Sequence, residues 1–86
     1  MIWFQKAAEQ RHPVAMLYLG VMYAEGRGVP QDYVRAYMWF NLGAASGNAT
    51  AVKNRDTLTK LMAPSEINQA QKVARECEKR KFKDCD

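Results

Sequence analysis

The chain has little of what catalytic sites and membrane spans require. Its 86 residues include one histidine, His12, and only two cysteines, three prolines and five glycines. A single histidine could serve a catalytic triad only by coincidence. No apolar run approaches the roughly 18 to 20 consecutive residues that a membrane span needs. These absences argue against a membrane-spanning helix and against a histidine-based catalytic site.

Motifs for phosphate binding and nucleophilic catalysis are also missing. The turn Gly26-Arg27-Gly28 has neither the spacing of a phosphate-binding loop nor a strand before it. Ser46 and Ser65 lack the context of a nucleophile elbow. The carboxylates are scattered over helix ends and polar faces instead of being paired in apolar surroundings. The sequence therefore predicts no enzymatic activity, no metal site and no cofactor.

The net charge of +4 is concentrated in the second half of the chain. Residues 1–52 hold four Lys and Arg against three Asp and Glu, whereas residues 53–86 hold nine against six. The basic run at 79–83 could suggest a nucleic acid, but no aromatic platform for base stacking accompanies it. Cations at a solvated helix end complement the helix dipole. We therefore expect no nucleic-acid partner and no membrane insertion.

An internal repeat is the most informative feature of the chain. Trp3-Phe4 recurs as Trp39-Phe40 after 36 residues, and the same offset carries Ala8 onto Ala44. A fixed period between about 20 and 50 residues is typical of stacked supersecondary units. Such stacks usually present binding surfaces.

The spacing of apolar residues predicts helices and no strands. The predicted helices cover the end of a helix at 1–10, then 13–25, a segment from Asp32 to about Ser46, about 49–62 and about 64–81. Pro13 suits a first helical position, and Gly26 to Pro30 is a strong turn signal. Asp32 is a candidate N-cap. Gly20 predicts that another element packs closely against its helix.

The segments Ala15–Tyr23 and Gly26–Tyr33, followed by Ala36 and Trp39-Phe40, closely resemble one unit of the Sel-one-like repeat. The resemblance implies an all-α fold, an α/α solenoid or superhelix of antiparallel helix pairs related to tetratricopeptide repeats. It divides a single domain, 1–86, into a half unit at 1–10, a complete unit at 11–46 and a divergent C-terminal cap and tail at 47–86. About five helices are expected.

The ends of this predicted stack depart from the repeat pattern. Arg55-Asp56 replaces the Leu-Gly pair of a complete unit, which suits a cap with a polar outer side. Residue 1 lies midway through a unit, so we expect a longer parent protein with further repeats. Trp3 and Phe4 would lack the partner helix of a complete unit, and self-association through the first helix is therefore expected.

The resemblance implies a protein-interaction adaptor or scaffold, of a kind frequent in bacterial envelope and signalling assemblies. Its concave face would be lined by the helices at 13–25 and 49–62. The candidate partner-binding residues are Val14, Leu17, Tyr18, Val21 and Glu25, with Lys53, Asn54, Thr57 and Lys60. Leu17 and Tyr18 could instead be buried against a neighbouring helix. A periplasmic inhibitor or immunity protein that masks another protein's site is the alternative, and a small envelope hydrolase is less favoured because no catalytic set is present.

The two cysteines, Cys77 and Cys85, have seven residues between them. If the last helix ends near Lys81, the tail can fold back to the Cα separation of roughly 4.4 to 6.8 Å that a disulfide requires. From the residues alone they could equally be independent thiols. Cysteine-rich relatives use the same interval between bridged cysteines, so the resemblance favours a disulfide. A periplasmic or secreted location is favoured if the bridge forms, and a cytoplasmic one otherwise.

Overall fold

The protein folds as consecutive α-helices joined by short turns. A computed structural model describes residues 6–8, 10, 12–83 and 85, and within these ranges it contains no strand. Residues 6–8 are helical. Four further helices follow: α1 (Pro13–Glu25), α2 (Tyr33–Ala45), α3 (Ala49–Thr59) and α4 (Pro64–Lys79). The predicted all-α class is confirmed. Trp3, Phe4 and Arg11, which carried predictions about the first helix and the first turn, lie outside the described residues.

The starts of α1, α2 and α3 are each capped by a side chain within the local sequence. His12 Nδ1 accepts a hydrogen bond from the Ala15 amide at 3.4 Å. The Asp32 carboxylate accepts from the Arg35 amide at 3.1 Å, as predicted. At α3 the acceptor is the Asn48 side chain, which bonds the Ala51 amide at 3.0 Å. Each cap satisfies one of the amides that a first helical turn leaves without a partner.

Two helices end earlier than the sequence predicts. α3 stops at Thr59 instead of Met62, because Lys60, Leu61 and Met62 donate to carbonyls three residues back, a tighter pattern than the α-helix. Pro64 then disfavours helical backbone at residue 63. The prediction of a helix to Lys81 is likewise wrong by two residues. Lys81 (φ 57°) and Phe82 (φ 66°) are left-handed, and the chain turns back there.

α2 is the central helix, and α1, α3 and α4 all pack on it. The repeated Trp39-Phe40 pair lies at its middle and is buried. Most of its other residues between 36 and 43 are buried as well, namely Ala36, Tyr37, Met38, Leu42 and Gly43. Because α1, α3 and α4 each cover part of α2, its apolar residues are distributed all round its axis instead of along one stripe.

The predicted close approach at Gly20 is confirmed. A Cβ added to Gly20 would lie 2.4 Å from both Cδ1 and Cε1 of Phe40. The absence of a side chain on α1 therefore lets the Phe40 ring of α2 lie directly against the α1 backbone. This contact sets the distance between the two helices of the unit.

The C-terminal part of the chain forms a polar cover over α2. α4 buries Ala70, Ala74 and Cys77, whereas its outer face is charged and exposed. Arg55 of α3 stands where a complete unit would have an apolar residue, and its guanidinium donates to Asn41 Oδ1 at 3.0 Å. The polar side chains of α3 and α4 are thus mostly solvated, and Arg55 is paired.

A disulfide joins Cys77, in the last turns of α4, to Cys85 in the tail. The two Cα atoms are 5.3 Å apart. Between them, Phe82 is buried and its amide donates to the Cys77 carbonyl at 2.9 Å. The pairing agrees with the bridge that the resemblance favoured. The bridge and the buried ring hold the tail against the end of α4.

Candidate partner-binding groove

An open groove lies between the C-terminal part of α1 and the C-terminal part of α3. We call it the α1/α3 groove; its volume is about 240 Å³. Its lining residues are Val21, Ala24, Glu25, Phe40, Asn54, Thr57, Leu58 and Leu61. The groove exists because α1 and α3 both pack mainly on α2 and make few contacts with each other.

The floor of the groove is buried and its rim is accessible. Phe40 and Leu58 form the floor; Phe40 is only 3% exposed and is held against Gly20. Val21 and Ala24 form the α1 wall and are half-buried. At the rim, Leu61 is 64% exposed, the largest fraction among the exposed large apolar side chains of the described residues. The site therefore combines a fixed apolar floor with an apolar side chain available for contact.

Helical spacing brings the wall residues together. Asn54, Leu58 and Leu61 follow one another at intervals of four and three residues, so they share a face of α3 and of the turn that continues it. Val21, Ala24 and Glu25 have the corresponding intervals on α1. Thr57 lies beside the α3 stripe, and its hydroxyl donates to the Lys53 carbonyl at 3.0 Å.

The repeat family can be assigned at this point. A family model described as the Sel1 repeat matches residues 1–12 and 13–48, more than half of the chain. The chain belongs to the Sel1 repeat family. The second match covers α1, α2 and the N-cap of α3, and its length equals the offset between the two Trp-Phe pairs. A comparison with curated proteins found no match.

Sel1 repeats generally mediate protein–protein interaction, and the family is typically non-enzymatic. In this Sel1 repeat protein the α1/α3 groove is built from the matched helix pair and from α3, which follows the match. The groove is therefore formed partly by the matched repeat unit and partly by residues that follow the match.

The groove brings together four of the nine partner-binding residues that the sequence predicted: Val21, Glu25, Asn54 and Thr57. Val14 and Tyr18 lie nearer the start of α1 and are 44% and 49% exposed. The alternative of complete burial therefore does not describe Tyr18. Leu17 is half-buried and packs against the core. Lys53 and Lys60 are exposed beside the groove, next to Thr57.

Four lining residues were not among those predicted: Ala24, Phe40, Leu58 and Leu61. Phe40, Leu58 and Leu61 occupy apolar positions of the predicted helices, where burial in the core is the ordinary expectation. Leu61 is exposed because α3 ends two residues before it. The common spacing of Asn54, Leu58 and Leu61 was a signal that could have grouped them.

A second depression, of about 270 Å³, lies at the turn before α2. Tyr23, Val29, Pro30, Gln31, Asp32 and Arg35 line it. The carboxylate of Asp32 in this depression is already hydrogen-bonded, because its two oxygens accept from the Arg35 amide and guanidinium, both at 3.1 Å. Among the described residues, no group of three or more His, Cys, Asp or Glu could hold a metal ion. No helix in the described ranges is long and apolar enough to cross a membrane.

Proposed function

We propose that this Sel1 repeat protein is an interaction module, an adaptor or scaffold, that binds a segment of another protein in the α1/α3 groove. The observation that carries the proposal is the exposed Leu61 above a floor of buried Phe40 and Leu58. Binding energy at protein interfaces is concentrated where a few apolar side chains enter well-packed pockets. The floor is already closely packed before a partner binds, so its side chains lose little conformational entropy on binding.

The size of the groove favours a side chain as its occupant. Its volume of about 240 Å³ lies below the roughly 300 to 1,000 Å³ that is usual for small-molecule and cofactor sites. One or two partner side chains would fill it. The exposed Val14 and Tyr18 extend the accessible surface along α1, whose 13 residues span about 20 Å. A peptide or a protein loop could thus contact α1 beyond the groove itself.

The lining chemistry favours binding over catalysis. Glu25 is the one ionisable residue among the groove's lining residues, and its carboxylate is 2.7 Å from Arg27 Nε. General acid–base catalysis requires a proton donor or acceptor within reach of the substrate, and hydrolysis commonly uses two. We therefore propose no enzymatic role, and disfavour the envelope hydrolase. An inhibitor or immunity protein would use the same surface, so the experiment below applies to it as well.

Replacing Leu61 with glutamate tests the proposal, and Val52 provides the matched control. Val52 is 36% exposed and lies on the opposite side of α3 from Asn54 and Leu58, which line the groove. A partner would be identified by affinity capture and mass spectrometry, then purified for calorimetry. Leu61→Glu should weaken binding at least about tenfold, since it places a charge where the apolar contact is made. Val52→Glu should leave the Kd unchanged.

Both variants need circular dichroism spectra like that of the unsubstituted protein. Equal Kd values for Leu61→Glu and the unsubstituted protein would exclude the α1/α3 groove as the binding surface. If Val52→Glu alone weakened partner binding, the interface would lie on the other side of α3.

A further inference from the structure

One edge of the α1/α3 groove carries uncompensated positive charge. Lys53 of α3 and Lys60, which caps the C-terminus of α3 with helical backbone angles, are seven residues apart, so their side chains lie on the same side, about 10 Å apart along the helix axis. Thr57, which lines the groove, lies between them. Both lysines are exposed, and neither side-chain ammonium group forms a hydrogen bond or an ion pair with any residue of the described ranges.

The acidic groups near the groove are already paired. Glu25, on the opposite wall, is bonded to Arg27 at 2.7 Å. Asp56, one turn from both lysines, lies 3.6 Å from Arg55 Nε. Arg55 itself donates to Asn41, away from the groove. The α1 wall contributes no cation, because Glu25 is the single charged residue of α1. The field along the groove is therefore positive on its α3 side and near neutral on its α1 side.

We infer that the groove takes an acidic segment of a protein partner, in which an apolar side chain enters the groove and neighbouring carboxylates meet Lys53 and Lys60. The inference rests on the proposed function and adds the chemistry of the partner. Exposed charges at the rim of an interface mainly select the partner and speed its approach, whereas the buried apolar contact supplies most of the affinity. The groove has both parts, a positive rim and an apolar floor.

The same two lysines fit a nucleic acid less well. Binding of single strands uses exposed aromatic rings on which bases stack. The ring in this groove is Phe40, which is 3% exposed and forms the floor. Leu61 at the rim would have no counterpart on a phosphate backbone, whereas it would contact the apolar side chain of an acidic peptide.

A selection from a displayed random-peptide library tests the inference. Selected peptides would be synthesised with a fluorophore and their Kd values measured by anisotropy at low ionic strength. The first variant is Lys53→Glu/Lys60→Glu. Its matched control is Lys72→Glu/Lys79→Glu, which has the same charge change and the same spacing on the exposed face of α4. Leu61→Glu is measured in parallel, and a single-stranded oligonucleotide serves as a competing polyanion.

We expect the selected peptides to be acidic and to share an apolar residue. Reversing the charge of both Lys53 and Lys60 should raise the Kd of these peptides about five- to twentyfold, the range for two exposed charge interactions plus the added repulsion. The effect should fade near 1 M salt, where the screening length falls to about 3 Å. The α4 control should bind as the unsubstituted protein does, and Leu61→Glu should remove binding.

Other results separate the two proposals. Neutral or basic peptides that depend on Leu61 but not on the lysines would overturn the acidic partner and leave the proposed function standing. A selection that yields no peptide dependent on Leu61 would overturn both. An oligonucleotide that binds through Lys53 and Lys60, and is indifferent to Leu61→Glu, would assign the charged rim to nucleic acid and overturn the inference.

Discussion

Substituting Gly20 with alanine tests the packing on which the groove floor depends. The new Cβ would lie 2.4 Å from Cδ1 and Cε1 of Phe40 and 3.0 Å from its Cγ. Carbon atoms pack best at roughly 3.5 to 4.0 Å, so the ring must move by about 1 Å. Phe40 is 3% exposed and lines the groove, so a ring that moves away from α1 changes the groove floor.

Two opposing effects decide the sign of the change in stability. Alanine is favoured over glycine inside a helix by about 0.8 to 1 kcal/mol. Overpacking a core costs typically about 1 to 3 kcal/mol, and two ring atoms inside contact distance place this site toward the upper end. The net expectation for Gly20→Ala is a decrease of about 1 to 2 kcal/mol in the free energy of unfolding. A chain of this length has roughly 4 to 13 kcal/mol in total, so the loss is measurable.

Gly43 supplies the matched comparison, because it is also a helical glycine in the core. A Cβ at Gly43 would lie 3.3 Å from the Ala51 Cβ and 3.4 Å from the Met16 Cβ, contacts that small shifts can relieve. Gly43→Ala should therefore be within about 0.5 kcal/mol of neutral, as the gain in helix propensity offsets the crowding. Urea unfolding followed by far-ultraviolet circular dichroism gives both values.

A second substitution tests whether the loss of stability in Gly20→Ala comes from contact with the Phe40 ring. Phe40→Leu removes Cε1 and replaces the planar ring with a smaller side chain that can turn away from the new Cβ. The double variant should therefore be more stable than the sum of the two single changes predicts, by at least about 0.5 kcal/mol. If Gly20→Ala proved as stable as Gly43→Ala, or if the two changes were additive, the close contact between α1 and the ring would be refuted.

Two further predictions concern the tail and a helix cap. Reduction of the bridge between Cys77 and Cys85 should lower the free energy of unfolding by about 2 to 3 kcal/mol in the chain-entropy model, since the closed loop is short. The control, Cys77→Ser/Cys85→Ser, should show the same lower stability with or without reductant. Equal urea midpoints for the oxidised and reduced protein would contradict the expectation. Asp32→Ala should lower the free energy of unfolding by about 1 kcal/mol, because it removes the acceptor for the Arg35 amide, whereas Asp32→Asn should lower it by only about a few tenths of a kcal/mol. Equal losses for the two variants in urea unfolding would mean that the charge of Asp32 matters more than the cap.

The starts of the helices could be predicted because their signals are local. Pro13 begins α1, and the Asp32 carboxylate bonds an amide three residues away. Such bonds depend on the residues within one turn, so they can be read along the chain. The end of α3 could not be placed in this way. It depends on a change from α-helical to tighter bonding over residues 60–62, ahead of Pro64, where apolar spacing still suggested helix.

The candidate groove was predicted in part, for a related reason. Val21 and Asn54 could be assigned to facing helices once the repeat was recognised. Leu58 and Leu61 follow the same helical spacing, yet one is buried and the other is 64% exposed. Periodicity assigns a residue to a face of its helix but does not say where that helix ends or what covers it.

By itself, then, the sequence determined that this protein is a helical repeat and where its helices begin, because caps, turns and the apolar period act over a few neighbouring residues. Only the tertiary structure decided that α1 and α3 stand apart on α2, that Phe40 and Leu58 form a floor between them, and that Leu61 is exposed at the rim. These features depend on distances between helices, which the packing of side chains such as Phe40 against Gly20 sets.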